Sequence, residues 1–240
     1  MQMGGLMGGF YRISEWVWRL FYVNILWLLF LFPGLIIFGF FPSTAAMFAV
    51  TRKWVRGEPD IPVFKTFWQS YKTEFVKSNI IGLILLLVIY VFYIDFQFIQ
   101  ISTTGFIRYL HIPLIVILFI SALVGLYVFP VFVHYDIKMF QVFKNSFLLM
   151  IMFPFVTILM VVACIGVYWI MLRVPGLIPI FGGSLIVYVL TFGANLTFNR
   201  LEMKAEEQVK ENEKSSTTDL DEYEKEIIEE NVNNDLESNK

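Results

Sequence analysis

PSTAAMFAVTRKWVRGEPDIPVFKTFWQSYKTEFVKSN, residues 42–79, lies between two apolar runs, Leu20–Phe41 and Ile80–Ile94. The stretch is basic, aromatic and patterned like a helix. Phe64, Phe67, Trp68, Tyr71 and Phe75 recur at three- and four-residue steps, which predicts one apolar helical face. Lys65, Lys72 and Lys77 fall mostly off that face. Pro62 suits a first helical turn, where its missing N–H costs nothing. Such a helix suits a membrane interface, with aromatics toward the acyl boundary and lysines toward anionic headgroups. The same residues, Arg52, Lys53, Lys65, Trp68, Tyr71 and Lys72, would equally serve a cytoplasmic docking partner.

Working outward, the chain is 58% hydrophobic and 16% charged, well below the quarter of charged residues usual in a soluble domain. The apolar residues come in blocks long enough for a helix to cross about 30 Å of hydrocarbon. Spans are expected near 20–41, 79–98, 112–133, 147–172 and 177–196. The expected fold is therefore an all-α membrane protein of about five transmembrane helices with amphipathic interfacial helices. Residues 1–19 read as an N-terminal interfacial segment, with Trp16 and Trp18 suited to the aromatic belt. Gly4/Gly8 and Gly5/Gly9 have small-xxx-small spacing, but they lie outside an apolar run and read as a flexible leader. Residues 20–201 form the transmembrane domain and 202–240 a cytoplasmic tail.

Charge divides the chain sharply. Residues 1–201 carry +7 and residues 202–240 carry −9. The acidic tail is expected to be largely disordered, with a short apolar stripe at Leu220, Tyr223, Ile227 and Ile228. With five spans, ten basic residues from Arg52 to Lys204 fall on one side, against Arg12, Arg19, Arg108 and Arg173 on the other. The positive-inside rule then predicts an N-terminus outside and a C-terminus in the cytoplasm.

The first run ends in Gly39-Phe40-Phe41-Pro42 and the third in Tyr127-Val128-Phe129-Pro130. Val63-Phe64-Lys65 and Val142-Phe143-Lys144 follow at similar intervals. These matches suggest a parallel repeat of span, proline exit, amphipathic helix and span. Pro33-Gly34 should kink the first span.

Chemical signatures are missing. There is no HExxH pair around His111 or His134, no G-x-S-x-G elbow, no Walker A loop and no GxGxxG loop. Cys164 alone forms neither an intrachain disulfide nor a structural metal site. No enzyme activity, cofactor or nucleic-acid partner is expected. Polar groups at the spans are the remaining leads, because burying them in lipid is costly. Glu15 and Arg19 have i,i+4 spacing for a pair, Asn24 needs an interhelical partner, and His134 and Asp136 mark the cytoplasmic exit of the third span.

GGFYRISEWVWRLFYVNILW at 8–27, FGFFPSTAAMFAVTRKWVRGE and PVFKTFWQSYKTEFVKSN together resemble the YesL family of bacterial membrane proteins, domain-of-unknown-function family 624. The resemblance covers about residues 4–200 and leaves out the tail. It implies an integral plasma-membrane protein, often encoded beside carbohydrate ABC importers, glycoside hydrolases and sugar-sensing regulators, and no catalytic residues. The expected function is a non-enzymatic accessory component of a carbohydrate uptake or sensing system. The alternative is a small permease for a sugar or oligosaccharide. Expected partners are the lipid bilayer, a carbohydrate ABC importer or sensor component, and a second copy of the chain.

Overall fold

A computed structural model of the protein describes residues 6–101 and 105–238, with side chains over 8–97 and 112–214. Gly4 and Gly5 lie outside the described residues. The side chains of Arg108, His111 and the stripe Leu220, Tyr223, Ile227 and Ile228 lie outside the described side chains. All regular structure among the described residues is helical, and five helices are long and apolar enough to cross a membrane. The protein is an all-α, multi-pass membrane protein. By contacts the chain divides into Met1–Thr197 and Phe198–Lys240, each described by itself.

The first expected span is where the structure departs most from the sequence reading. Helix α1 covers Leu6–Leu29 and takes in most of the segment expected to lie at the interface. A short 3-10 turn at Phe32–Gly34 follows, and α2, Ile37–Val55, runs back along α1. Trp27 Nε1 donates to Thr44 Oγ1 at 3.1 Å, while Trp16 and Trp54 meet at 6.1 Å further down. Residues 20–41 are therefore corrected from one kinked crossing to the two arms and tip of a helical hairpin. Two neighbouring residues, Leu35 (φ 52°) and Ile36 (φ 65°), carry the reversal in the left-handed region, which a β-branched residue rarely enters. The turn closes because Gly34 and Gly39 touch. A Cβ on Gly34 would land on the Gly39 backbone, and one on Gly39 on the Leu31 carbonyl.

Helix α3, Val63–Thr73, is the amphipathic helix expected from the aromatic spacing. Its aromatic face is divided: Phe64 and Trp68 are exposed, and two of its rings turn inward. Phe67 and Tyr71 are buried on the hairpin, where Phe30 sits 5.1 Å from each ring and 5.3 Å from Trp68. Phe67 and Tyr71 find a core because α1 and α2 fold back beside them, which removes their rings from water.

Four further helices follow: α4, Phe75–Ile101; α5, Gly105–His134; α6, Met139–Met152; and α7, Pro154–Arg173. The expected span 147–172 is corrected to parts of α6 and α7, broken at Phe153 because Pro154 starts a new helix. Pro42 and Pro130 lie inside α2 and α5 and do not mark their ends. The order long helix with internal proline, short helix, long helix thus occurs twice, as α2–α3–α4 and α5–α6–α7. Helix α2 runs beside α5 in the same direction, with Phe48 stacked on Phe129 at 5.6 Å and the Arg52 guanidinium donating to the Val133 carbonyl.

Helix α8, Leu177–Ser238, carries the last apolar segment and continues as helix where an irregular tail was expected. Its side chains at 202–214 are exposed. The exposed apolar residues of α4, α5 and α7, such as Leu83, Leu87, Ile115, Phe119, Ile158 and Val162, suit a lipid solvent.

Candidate functional site

Asn24 finds its interhelical partner in α8. Its Nδ2 donates to the Pro179 carbonyl at 2.9 Å, and its Oδ1 accepts from the N–H groups of Gly183 and Ser184, both at 3.1 Å. The carboxamide thereby enters the backbone ladder of α8 and satisfies groups that lipid could not. Gly183 admits this approach, since a Cβ there would sit 3.3 Å from Asn24 Oδ1 and 3.4 Å from Met47 Cε. This joint is a structural lock between the hairpin and α8.

Glu15 and Arg19 do pair, at 2.6 Å, and Arg19 also reaches Asp60 at 3.1 Å. The second contact ties the first arm of the hairpin to the loop after α2. The five polar residues singled out near the spans are therefore not one cluster. Glu15 and Arg19 close the base of the hairpin, Asn24 binds α8, and His134 and Asp136 belong to a separate cavity.

That cavity, of about 590 Å³, lies between α2, α3 and the 132–137 segment that leaves α5. Ala45, Ala49, Arg52, Lys53 and Arg56 form its α2 wall. Thr66, Gln69, Ser70 and Thr73 form its α3 wall, a polar stripe at helical spacing beside the aromatic one. Arg56 Nη2 lies 3.3 Å from His134 Nε2. Arginine has no acceptor, so the imidazole nitrogen accepts and the ring is neutral in this arrangement. Lys77 Nζ stands 3.4 Å from Asp136 Oδ1 across the rim.

Of the residues expected to anchor or dock, Arg52 and Lys53 face this cavity, whereas Lys65, Trp68 and Lys72 point away from it. Lys72 Nζ stands 4.9 Å over the Trp68 ring, a cation–π pair at the surface. Tyr71 is not available for docking. It is buried, its hydroxyl has no hydrogen-bond partner among the described residues, and burial pushes its pKa up from the usual phenol value. Sequence reading missed the α3 polar wall and the hub at Phe30. The wall was visible as Thr66, Gln69, Ser70 and Thr73 on one helical face, but the aromatic stripe next to it drew the reading. Among the described residues, no group of three His, Cys, Asp or Glu could hold a metal.

The family model described as "Protein of unknown function, DUF624" matches residues 20–96, from the first arm of the hairpin through most of α4. Three Bacillus subtilis (strain 168) proteins are similar over longer stretches. "Uncharacterized protein YteU" is 39% identical over 188 residues, 78% of this chain and 84% of the relative. "Uncharacterized protein YesV" is 37% identical over 194 residues, 80% of this chain and 92% of the relative. "Uncharacterized protein YesL" is 37% identical over 142 residues, 57% of this chain and 64% of the relative. No solved structure matches significantly. The hairpin from Leu20 onward, α3 and the cavity walls up to Lys77 fall within the family-matched segment, and the chain belongs to the DUF624 family of YesL, YteU and YesV.

Proposed function

We propose that this protein is a non-enzymatic accessory membrane component of a carbohydrate uptake or sensing system, docking its partner through the outward strip of α3. One observation carries the docking half. Phe67 and Tyr71 fix α3 on the hairpin, so Lys65, Trp68 and Lys72 stand outward on a rigid helix. A lipid-anchoring helix would instead have turned those two aromatic rings outward. The carbohydrate half rests on the family resemblance. A photo-cross-linking residue at Trp68, in cells grown on plant or bacterial polysaccharide sugars, should capture a carbohydrate importer or sensor component. Adducts to lipid alone would sink the docking reading.

The same reading places the basic end of the hairpin in the cytoplasm, and with it the N-terminus. The expectation of an outside N-terminus rested on a single crossing over 20–41, and the reversal at 30–36 removes that support. Arg19 lies beside Asp60, and Trp16 beside Trp54, so the arm entering the hairpin starts at the end where the other arm leaves. Arg12 and Arg19 then join the basic loop on one side, which strengthens the charge bias that orients short loops. In protoplasts carrying Cys164→Ser and Gly9→Cys, an impermeant maleimide should label the protein only after permeabilisation. Labelling of intact protoplasts would overturn this orientation.

A second reading, a small permease for a sugar or oligosaccharide, draws on the repeated order of elements and on polar contacts buried between helices. Thr51 and Thr191 hydroxyls lie 3.0 Å apart, and Tyr127 and Thr157 hydroxyls 2.9 Å apart. Repeats of this kind occur in transporters. Proteoliposomes that move none of a broad sugar panel would remove this reading and leave the accessory role standing.

A further inference from the structure

We infer that the cavity between α2, α3 and residues 132–137 binds a phosphate-bearing anion, with Arg52 and Arg56 taking its phosphoryl oxygens. This is a small-ligand site, independent of the outward strip proposed to dock a partner.

The charge arrangement is the first reason. Arg52, in the last turn of α2, and Arg56, the residue that caps it, are four positions apart, and both line the cavity. Among the described residues neither lies within ion-pairing distance of a carboxylate, whereas Arg19 and Lys77 each do. Like charges at this spacing repel, the more so where the cavity walls exclude part of the water. Arg52 is steadied by the Val133 carbonyl and Arg56 by His134 Nε2, so both forks are held in place with most of their donors unused. A planar fork with free N–H groups matches phosphate oxygens in geometry as well as charge.

The opposite wall is the second reason. Thr66, Gln69, Ser70 and Thr73 present three hydroxyls and a carboxamide to the same space, and none hydrogen-bonds elsewhere through its side chain among the described residues. Such groups complete the coordination of a phosphate ester and read its organic part. Glu58 and Glu74 also line the space, and Asp136 is engaged with Lys77. These acids disfavour a densely charged polyanion and suit a single phosphate group. The volume of about 590 Å³ leaves room for a substituent beyond inorganic phosphate.

Two sources supply this chemistry, the headgroup of an anionic phospholipid and a soluble phosphate ester. The test uses the full chain in phosphatidylcholine nanodiscs at constant ionic strength set with chloride. One arm titrates inorganic phosphate and then glycerol 3-phosphate, following the thermal midpoint. The other replaces part of the lipid with phosphatidylglycerol and counts retained lipid by native mass spectrometry. Saturable binding in the first arm alone supports the site with a soluble ligand. Retention in the second alone supports it with a lipid headgroup, and binding in both supports a site open to either. Arg56→Gln should weaken the binding by about tenfold or more. Arg52→Lys, which keeps the charge and loses the fork, should weaken it less while leaving the folded protein intact. Lys65→Gln, outside the cavity, should change nothing. No binding in either arm, binding indifferent to Arg56→Gln, or equal loss with Lys65→Gln would overturn the inference.

Discussion

The short helices α3 and α6 occupy equivalent places in the two copies of the repeated order, yet they face different surroundings. Helix α3 buries two aromatic rings, Phe67 and Tyr71, on the hairpin and shows Lys65, Trp68 and Lys72 outward. Helix α6 buries Val142, Ser146 and Leu149, and exposes Phe140, Phe147, Leu148 and Ile151. An exposed face of that composition suits lipid, whereas the α3 strip suits water, headgroups or a protein. The difference teaches that duplication of an element order does not duplicate a role. The hairpin gives α3 a core of its own, and that frees its other faces for a polar wall and a cationic strip.

The largest effect expected from breaking this comparison comes at the hairpin turn. Gly39→Ala should destabilise the protein by on the order of 3 kcal/mol, because its Cβ would overlap the Leu31 carbonyl. Gly125→Ala, in the second copy, meets nothing within 4 Å and should be neutral. Thermal midpoints in one detergent decide it, and equal shifts for the two would mean the close turn is not what supports α3.

Asn24→Ala should come next, at about 2 kcal/mol, since it leaves backbone groups of α8 without partners in an apolar setting. Asn24→Asp should recover little, because a carboxylate cannot donate to the Pro179 carbonyl. Recovery with aspartate would show that the N–H groups of Gly183 and Ser184 carry the joint alone.

Two tyrosines give the smallest and sharpest contrast. Tyr127→Phe in the second copy loses a buried hydrogen bond to Thr157 and should cost about 0.5–1 kcal/mol. Tyr71→Phe in the first copy removes a buried hydroxyl that has no partner among the described residues and should be neutral or slightly stabilising. A loss at Tyr71 as large as that at Tyr127 would mean its hydroxyl meets a group other than those described.

The residues of the candidate cavity were only partly legible in advance. Arg52, Lys53, His134 and Asp136 stood out as charged or titratable groups at the ends of apolar runs. Their assembly did not, because 81 residues separate Arg52 from the Val133 carbonyl it meets. Arg56 is one of several cations in the 42–79 loop by sequence, and only the fold sets it beside His134. Tyr71 and Trp68 read as equals in the aromatic stripe, and both rings meet Phe30, yet only Tyr71 is buried.

By itself, the sequence determined that the chain is helical, that it partitions into a membrane and that its charges gather in one loop. Those properties follow from local sums: each apolar residue adds to the transfer free energy of its own segment, and each short-range period marks its own helix. Tertiary structure alone decided that residues 20–41 turn back on themselves, that Phe67 and Tyr71 of α3 become core, and that two arginines share a cavity with a polar wall. A reversal inside an apolar run leaves no mark in hydropathy. It exists because the backbones of Gly34 and Gly39 can touch, and everything that meets beside that turn is brought there by packing between distant segments.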